Sequence, residues 1–323
     1  MLGTLMSAEM AQQPAVLARI IARAADDAAT VRKVTPSPLA GTVLLARGSS
    51  DNAAVFGRYL AELVSGRPVG LAAPSLYTRY HAEVNWESYL VIALSQSGAT
   101  PEILTTAAAM RASGATVAGI TNEPDSPMRD VVDVLLPVDA GPERAVPATK
   151  TMTAQMLLLA TALGVTGLDG LPAAVAGILD DDTTPAIAQQ WRDIDRLIVT
   201  GRGLAYAAAL EIALKIKETT GILAEGFSTA DLRHGPIATA FAGAPVLLVD
   251  AGGPAADDTR DLGMTLTAGK ASVVMVGVDE GLPEPARAIG AVVRGQQLAR
   301  ALALAKGADP DNPAGLTKVT PTT

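Results

Sequence analysis

The chain has 323 residues, 49% of them hydrophobic but only 3% aromatic, a formal net charge of −8 and no cysteine. That length suits two domains of about 150 residues each, with interiors built from Ala, Val and Leu rather than rings. The charge excludes the broad basic field that nucleic acid requires. The lack of cysteine excludes disulfides, thiolate metal sites and a cysteine nucleophile from this chain, and fits a cytoplasmic protein.

Residues 1–25 lack the basic flank and apolar block of a secretory signal and read as an N-terminal helix. Beyond them, short β-rich runs alternate with helical patterns: strand 42–46, helix 52–64, strand 89–94, helix 101–112, strand 116–121, strand 131–138 and helix 151–163. That rhythm predicts an α/β domain with a parallel sheet flanked by helices. The stretch 152–168 is interrupted by Thr153, Gln155, Thr161 and Thr166 and reads as a buried helix, not a membrane span. After a short helix at 173–179, the charged turn-forming run 180–185 reads as a linker. The rhythm then repeats with strand 196–200, helix 205–219, strand 245–250 and strand 271–278.

The two halves overlay at an offset of 155 residues, which places Leu44 to Gly48 on Val199 to Gly203 and Val91 to Leu94 on Val246 to Val249. Two strand matches at one offset point to internal duplication. In the first half, strand 89–94 runs into Ser95-Gln96-Ser97-Gly98-Ala99-Thr100-Pro101-Glu102 and then a helix. Such a turn aims backbone N–H groups and the positive end of a helix dipole at one spot, where a phosphate fits. Ser95, Ser97 and Thr100 add hydroxyl donors, Gly98 lets the backbone approach, and Pro101 suits a first helical turn. The plainer alternative is an ordinary capped helix start. Gly48 and Ser50, after the preceding strand, fall at the neighbouring strand's carboxyl end, where open parallel sheets hold ligands. The duplicate carries Asp250 in place of Ser95, and a carboxylate there repels phosphate.

Several segments in order resemble the sugar-isomerase (SIS) domains of glucosamine-6-phosphate synthase and its stand-alone relatives. They are Arg47-Gly48-Ser49-Ser50, Leu94 to Gly98, Ala148-Thr149-Lys150, Leu210 to Glu218, Arg233-His234-Gly235-Pro236 and Asp309 to Lys318. The resemblance implies two flavodoxin-like SIS domains, 1–179 with the phosphate site and 186–323 with a C-terminal catalytic tail. It implies that Ser50, Ser95, Gln96, Ser97 and Thr100 hold a sugar phosphate, that Glu218 moves a proton between C1 and C2, that His234 assists ring opening and that Lys318 reaches the open-chain carbonyl. It further implies a homodimer with the histidine supplied by the neighbouring subunit. Ala148 stands where the synthase carries a sugar-contacting serine, which leaves the substrate around C1 and C2 open.

The residues also have readings of their own. Glu211, Lys215 and Glu218 are spaced three and four apart on one helix face, a pattern shared by surface salt-bridge ladders and by a carboxylate base tuned by a lysine. His234 precedes a Gly-Pro turn that can present an imidazole rigidly, whereas His81 lacks such a context. Lys318 lies in a Gly/Pro-rich tail expected to be extended, where it would form an imine or polarise a carbonyl. No His/Asp/Glu cluster has metal spacing and no dinucleotide fingerprint follows a strand, so neither metal nor cofactor is expected.

These features predict an aminosugar-phosphate isomerase and deaminase that converts glucosamine 6-phosphate to fructose 6-phosphate and ammonia. The expectation rests in part on the missing glutaminase half of the synthase. The alternatives are a dehydratase, a lyase that expels water from N-acetylglucosamine 6-phosphate, and a sugar-phosphate sensor without turnover. Expected partners are a hexosamine 6-phosphate and a second copy of the chain, with no nucleic acid and no membrane.

Overall fold

The computed structural model describes residues 2–181, 183–277 and 281–318. Three helices come first: α1 (Thr4–Met10), α2 (Gln13–Ala22) and α3 (Ala24–Val34). The first sheet region follows as β1 (Gly41–Leu45), α4 (Ser49–Ser65), β2 (Val69–Leu71), α5 (Ser75–Thr78), β3 (Tyr89–Leu94), α6 (Pro101–Ala112), β4 (Thr116–Thr121), α7 (Met128–Val131) and β5 (Val134–Pro137). Its five parallel strands are ordered β2-β1-β3-β4-β5, the flavodoxin-like arrangement. β1 is buried throughout, as is β3 after its first residue, which is why their apolar runs are continuous rather than alternating.

After α8 (Lys150–Ala162), α9 (Leu171–Asp180) and α10 (Thr184–Gln190), the pattern restarts. β6 (Arg196–Gly201), α11 (Leu204–Thr220), β7 (Leu223–Ser228), α12 (Thr229–Arg233), a 3₁₀ turn at Pro236–Thr239, β8 (Pro245–Asp250), α13 (Ala256–Ala268) and β9 (Ser272–Gly277) lead to the long α14 (Glu284–Ala305). Four parallel strands are ordered β7-β6-β8-β9.

The duplication extends well beyond the two matched strands. α4 and α11 are both 17 residues long, and they follow Gly48 (φ 61°, ψ −136°) and Gly203 (φ 62°, ψ −133°), a backbone conformation that favours glycine. No atom lies within 4 Å of a Cβ built at Gly48, so conformation rather than crowding selects glycine there. The correspondence ends after β4 and β9: the first half adds β5, whereas the second continues into α14.

The expected strand 131–138 is shorter, because Val131 closes α7 and Asp133 is committed to the neighbouring strand before β5 begins. The Asp133 N–H donates to the Val117 carbonyl at 2.7 Å, and its carboxylate accepts from the Val117 N–H at 2.8 Å. Two further strands, β2 and β7, have no counterpart in the sequence expectation. Asp182 of the expected linker and Val278 of the expected last strand lie outside the described residues.

By contacts the chain forms two compact units interleaved in sequence. One comprises 16–143 and 154–166 and carries the five-stranded sheet; the other comprises 1–15, 144–153 and 167–318 and carries the four-stranded sheet. This grouping cuts the chain differently from contiguous halves at 1–179 and 186–323, and buried polar bonds explain why. Within the second unit, Gln13 donates to Gln296 (3.0 Å), Thr153 donates to Gln13 (2.7 Å) and Gln296 donates to the Thr149 carbonyl (3.1 Å). All four residues are fully buried, so an unmade bond would cost the whole desolvation of its group. The C-terminal segment joins the same unit: the Asp311 carboxylate accepts from the Leu5 and Met6 N–H groups at 2.9 and 2.8 Å, capping α1. The tail is therefore pinned at Asp311 rather than loosely extended.

Candidate functional site

In the five-stranded unit the strand order reverses between β1 and β3, so the loops leaving these strands flank the crevice where such sheets take ligands. Ser95 is buried, and its hydroxyl lies 3.2 Å from that of Thr100. Ser95 also closes a turn by accepting from the Gly98 N–H at 3.2 Å, and the Ser97 hydroxyl accepts from the Ala99 N–H at 3.3 Å. Gln96 is tied to the sheet through its carbonyl, which accepts from the Asn122 N–H and the Thr121 hydroxyl. Among the described residues, the N–H groups of Gln96, Ser97 and Thr100 take no partner in the protein. Thr100 is the N-cap of α6 and makes no side-chain cap bond. The loop thus offers free backbone donors at a helix start, the arrangement that receives an oxyanion.

Gly98 is also required by packing within the protein. Its φ is +58°, and a Cβ there would lie 1.9 Å from Ser126 Oγ and 2.8 Å from Thr121 Oγ1. Gly98→Ala is expected to cost about 2 kcal/mol or more from the combined strain and clash. Chemical denaturation checks this, and an unchanged midpoint would contradict the packing.

Ser50 is buried at the start of α4 and donates to Gln155 Oε1 at 2.9 Å, while Gln155 Nε2 is buried without a partner. With the amide reversed, Gln155 would donate to Ser50 and release its hydroxyl proton toward the crevice. Arg47 and Glu102 also border this region, paired at 2.8 Å. That pairing offsets a carboxylate which would otherwise occupy the first turn of α6 unopposed.

In the duplicated loop the corresponding positions are bonded internally. Asp250, the counterpart of Ser95, accepts from the Gly252 N–H at 2.7 Å and from Arg260 Nε at 2.7 Å. Gly252 is the counterpart of Ser97, so the N–H left free in the first half is taken by an internal carboxylate in the second. Similarly, Glu284 Oε1 accepts from the Leu204 N–H at the start of α11. Burial pushes the Glu284 carboxyl above the usual range, against the opposing pull of that N–H and of the Arg287 charge. A carboxyl whose pKa is raised on folding costs the fold nothing below its unfolded value and its full penalty above its folded value. Glu284→Gln is therefore expected to melt higher than the parent at pH 7, with the gain vanishing below about pH 4. An equal offset at both pH values would contradict this.

In the four-stranded unit, Glu211, Lys215 and Glu218 form a cluster on α11, and the surface-ladder reading is overturned. Lys215 is 1% exposed and Glu211 fully buried, because α11 packs against β6, β7 and α14. Lys215 Nζ lies 2.5 Å from Glu218 Oε2 and 3.5 Å from Glu211 Oε1. The Glu218 side chain keeps 22% exposure, so the cluster presents one carboxylate outward and buries the other. The sequence did carry a signal for this: α11 is apolar on nearly every side, the mark of a buried helix.

His234 caps the C-terminal end of α12 and is exposed, followed by Gly235 at φ 134°. No hydrogen bond or ion pair joins it to Glu211 or Glu218. Lys318 is half-buried at the end of the described segment, and Ala148 is half-buried two residues before α8. Gln155 and Ser126 were not expected site residues; polar side chains inside otherwise apolar or Pro-flanked runs were the available signal. Among the described residues no group of His, Asp and Glu is placed to hold a metal ion, and no helix is long and apolar enough to cross a membrane.

A family model for the SIS domain matches residues 42–164 and 191–279, one segment for each sheet. The chain belongs to the SIS domain family. Over 309 residues it is 33% identical to the glutamine–fructose-6-phosphate aminotransferase (isomerizing) of Gloeobacter violaceus, covering 85% of this chain and 51% of that protein. The chain thus spans about half the length of the curated relatives it matches. Among solved structures, a Silicibacter pomeroyi protein assigned as a phosphosugar isomerase superposes with a TM-score of 0.88 at 30% identity, covering 95% of this chain and all of that one. The C-terminal domain of the Francisella tularensis glucosamine-fructose-6-phosphate aminotransferase gives 0.87 at 25% identity, with 96% and 98% coverage.

Proposed function

We propose that this SIS protein is an aminosugar-phosphate isomerase and deaminase that converts glucosamine 6-phosphate and water to fructose 6-phosphate and ammonia. The observation that carries the proposal is the buried Lys215 bonded to the partly exposed Glu218 carboxylate. The lysine fixes one carboxylate oxygen of Glu218 and leaves the partly exposed group positioned to act as a base. The free N–H groups of the Ser95 to Thr100 loop support phosphate binding, with Gly48, Ser50, Gln96 and Ser97 around it. Similarity to an isomerizing aminotransferase of fructose 6-phosphate supports the sugar class.

In this mechanism His234 assists opening of the sugar ring to an aldehyde at C1 with an amine at C2. Glu218 removes the C2 proton, giving an enolamine, and the proton returns to C1 to leave an imine at C2. Water adds to that imine, and ammonia departs as the ketone forms. Lys318 polarises the oxygen or nitrogen as charge develops, and Ala148 leaves room beside C2. Incubation with glucosamine 6-phosphate, followed by ammonia and fructose 6-phosphate assays, tests the proposal. Unchanged substrate would refute it, and loss of water from N-acetylglucosamine 6-phosphate would replace it with a dehydratase.

The active form is proposed to be a homodimer in which the partner chain supplies the histidine to each phosphate loop. Mixing Ser95→Ala/Ser97→Ala and His234→Ala chains, with subunit exchange and at a substrate concentration too low for the loop variant to turn over, is then expected to restore activity. Each mixed dimer would retain one site with both an intact loop and an intact histidine. No recovery in verified mixed dimers would sink the shared-site arrangement.

A further inference from the structure

The four-stranded unit contains a cavity of about 940 Å³ at the carboxyl ends of β8 and β9, remote in sequence from the phosphate loop. Among the described residues, three arginines line it, Arg260, Arg287 and Arg294, against two carboxylates, Asp181 and Asp250. The lining is therefore net positive in a chain of net charge −8.

Two of these arginines are already satisfied. Arg260 bonds Asp250 at 2.7 Å, and Arg294 donates to the Asp181 carbonyl and to Gln297 at 3.1 Å. Arg287 is not. Among the described residues its side chain makes no hydrogen bond and no ion pair, and its Nε is buried without a partner. Glu284, one turn earlier on α14, is felt only at longer range and is bonded instead to Leu204. The guanidinium is nevertheless closely housed: a Cβ at Gly252 would lie 2.0 Å from its Nη1, so glycine there makes room for it.

A guanidinium drawn partly out of water without a counter-charge is costly unless an oxyanion completes it. Its fork of N–H donors suits phosphate and carboxylate oxygens in paired bonds. The cavity is also larger than a bare ion needs and falls within the range of small-molecule sites. Small residues of α9 and its N-cap, Gly170, Ala173, Ala174 and Gly177, also line it. We infer that this cavity is a second, non-catalytic ligand site, in which Arg287 anchors the phosphate or carboxylate group of a small metabolite.

Titration calorimetry on the full chain tests this, with inorganic phosphate and succinate as separate probes. Ser95→Ala/Ser97→Ala is used as the background to remove the loop site. At least one probe is expected to bind there, and adding Arg287→Ala is expected to weaken it at least tenfold, with a smaller loss for Arg287→Lys. The probe that binds identifies the oxyanion class. Because the Arg287 side chain makes no bond within the protein, the alanine variant is expected to melt near its parent; if it does not fold, the lysine variant decides. Absence of binding by both probes, or binding indifferent to position 287, overturns the inference. Either failure is separable from failure of the proposed reaction, which is read by ammonia release from the parent chain.

Discussion

Glu218→Gln is expected to lower the turnover of glucosamine 6-phosphate by about 10²- to 10⁴-fold, the usual share of a positioned acid–base group. The affinity for inorganic phosphate at the loop is expected to stay unchanged. The substitution keeps the shape of the side chain and leaves an amide oxygen to accept from Lys215, but it removes the lone pair that would take the carbon-bound proton. Glu211, 3.5 Å from Lys215, remains to balance the ammonium, so the cluster should survive. A loss confined to kcat, with KM little altered, is the signature of a group acting only in the chemical step. By contrast, Ser95→Ala/Ser97→Ala removes hydroxyls from the phosphate loop and should act mainly on KM. A Glu218→Gln enzyme retaining a third or more of parental kcat would remove Glu218 from the reaction, and the charge cluster would then be structural.

Much of the sheet architecture was legible because its central strands are buried on both faces and announce themselves as unbroken apolar runs. The edge strands were not. β2 is three residues long and mostly exposed, and β7 runs Leu-Ala-Glu-Gly-Phe-Ser with neither continuity nor clean alternation. At the opposite edge, β5 was placed three residues too early because the valines before it belong to α7 and to the turn at Asp133. α14 escaped notice for another reason: Gln296 and Gln297 are buried with partners supplied by distant segments, so polarity did not mark its exposed side. The strand, turn and helix that carry the candidate loop were legible because strand, hydroxyl-rich turn and proline-started helix are contiguous. The burial of Lys215 was hidden in pairwise spacing, which is identical for a surface ladder and a buried cluster. Only the surrounding apolar residues of α11 distinguish them.

That distinction has a large energetic consequence. An exposed ladder would contribute about 0–1 kcal/mol, whereas removing the cation from a buried cluster strands its carboxylates and typically costs about 3–5 kcal/mol. Lys215→Met, which nearly preserves the volume of the side chain, is therefore expected to destabilise the fold by roughly that larger amount. The parent residue is 1% exposed and Glu211 is fully buried beside it, so water cannot replace the lost ammonium there without opening the packing of α11. Adding Glu211→Gln to Lys215→Met should recover part of the loss, because the double variant no longer buries an unbalanced charge. Glu211→Gln alone should cost less than Lys215→Met, since Glu218 still neutralises the lysine at 2.5 Å. A double-mutant cycle by urea denaturation measures the coupling directly. Strict additivity, or a loss below about 1 kcal/mol for Lys215→Met, would mean that the three residues behave as a solvated ladder. With the expected coupling, the cluster that positions the proposed base also holds the fold together, and activity lost in Lys215→Met has to be separated from unfolding by assaying below its melting transition.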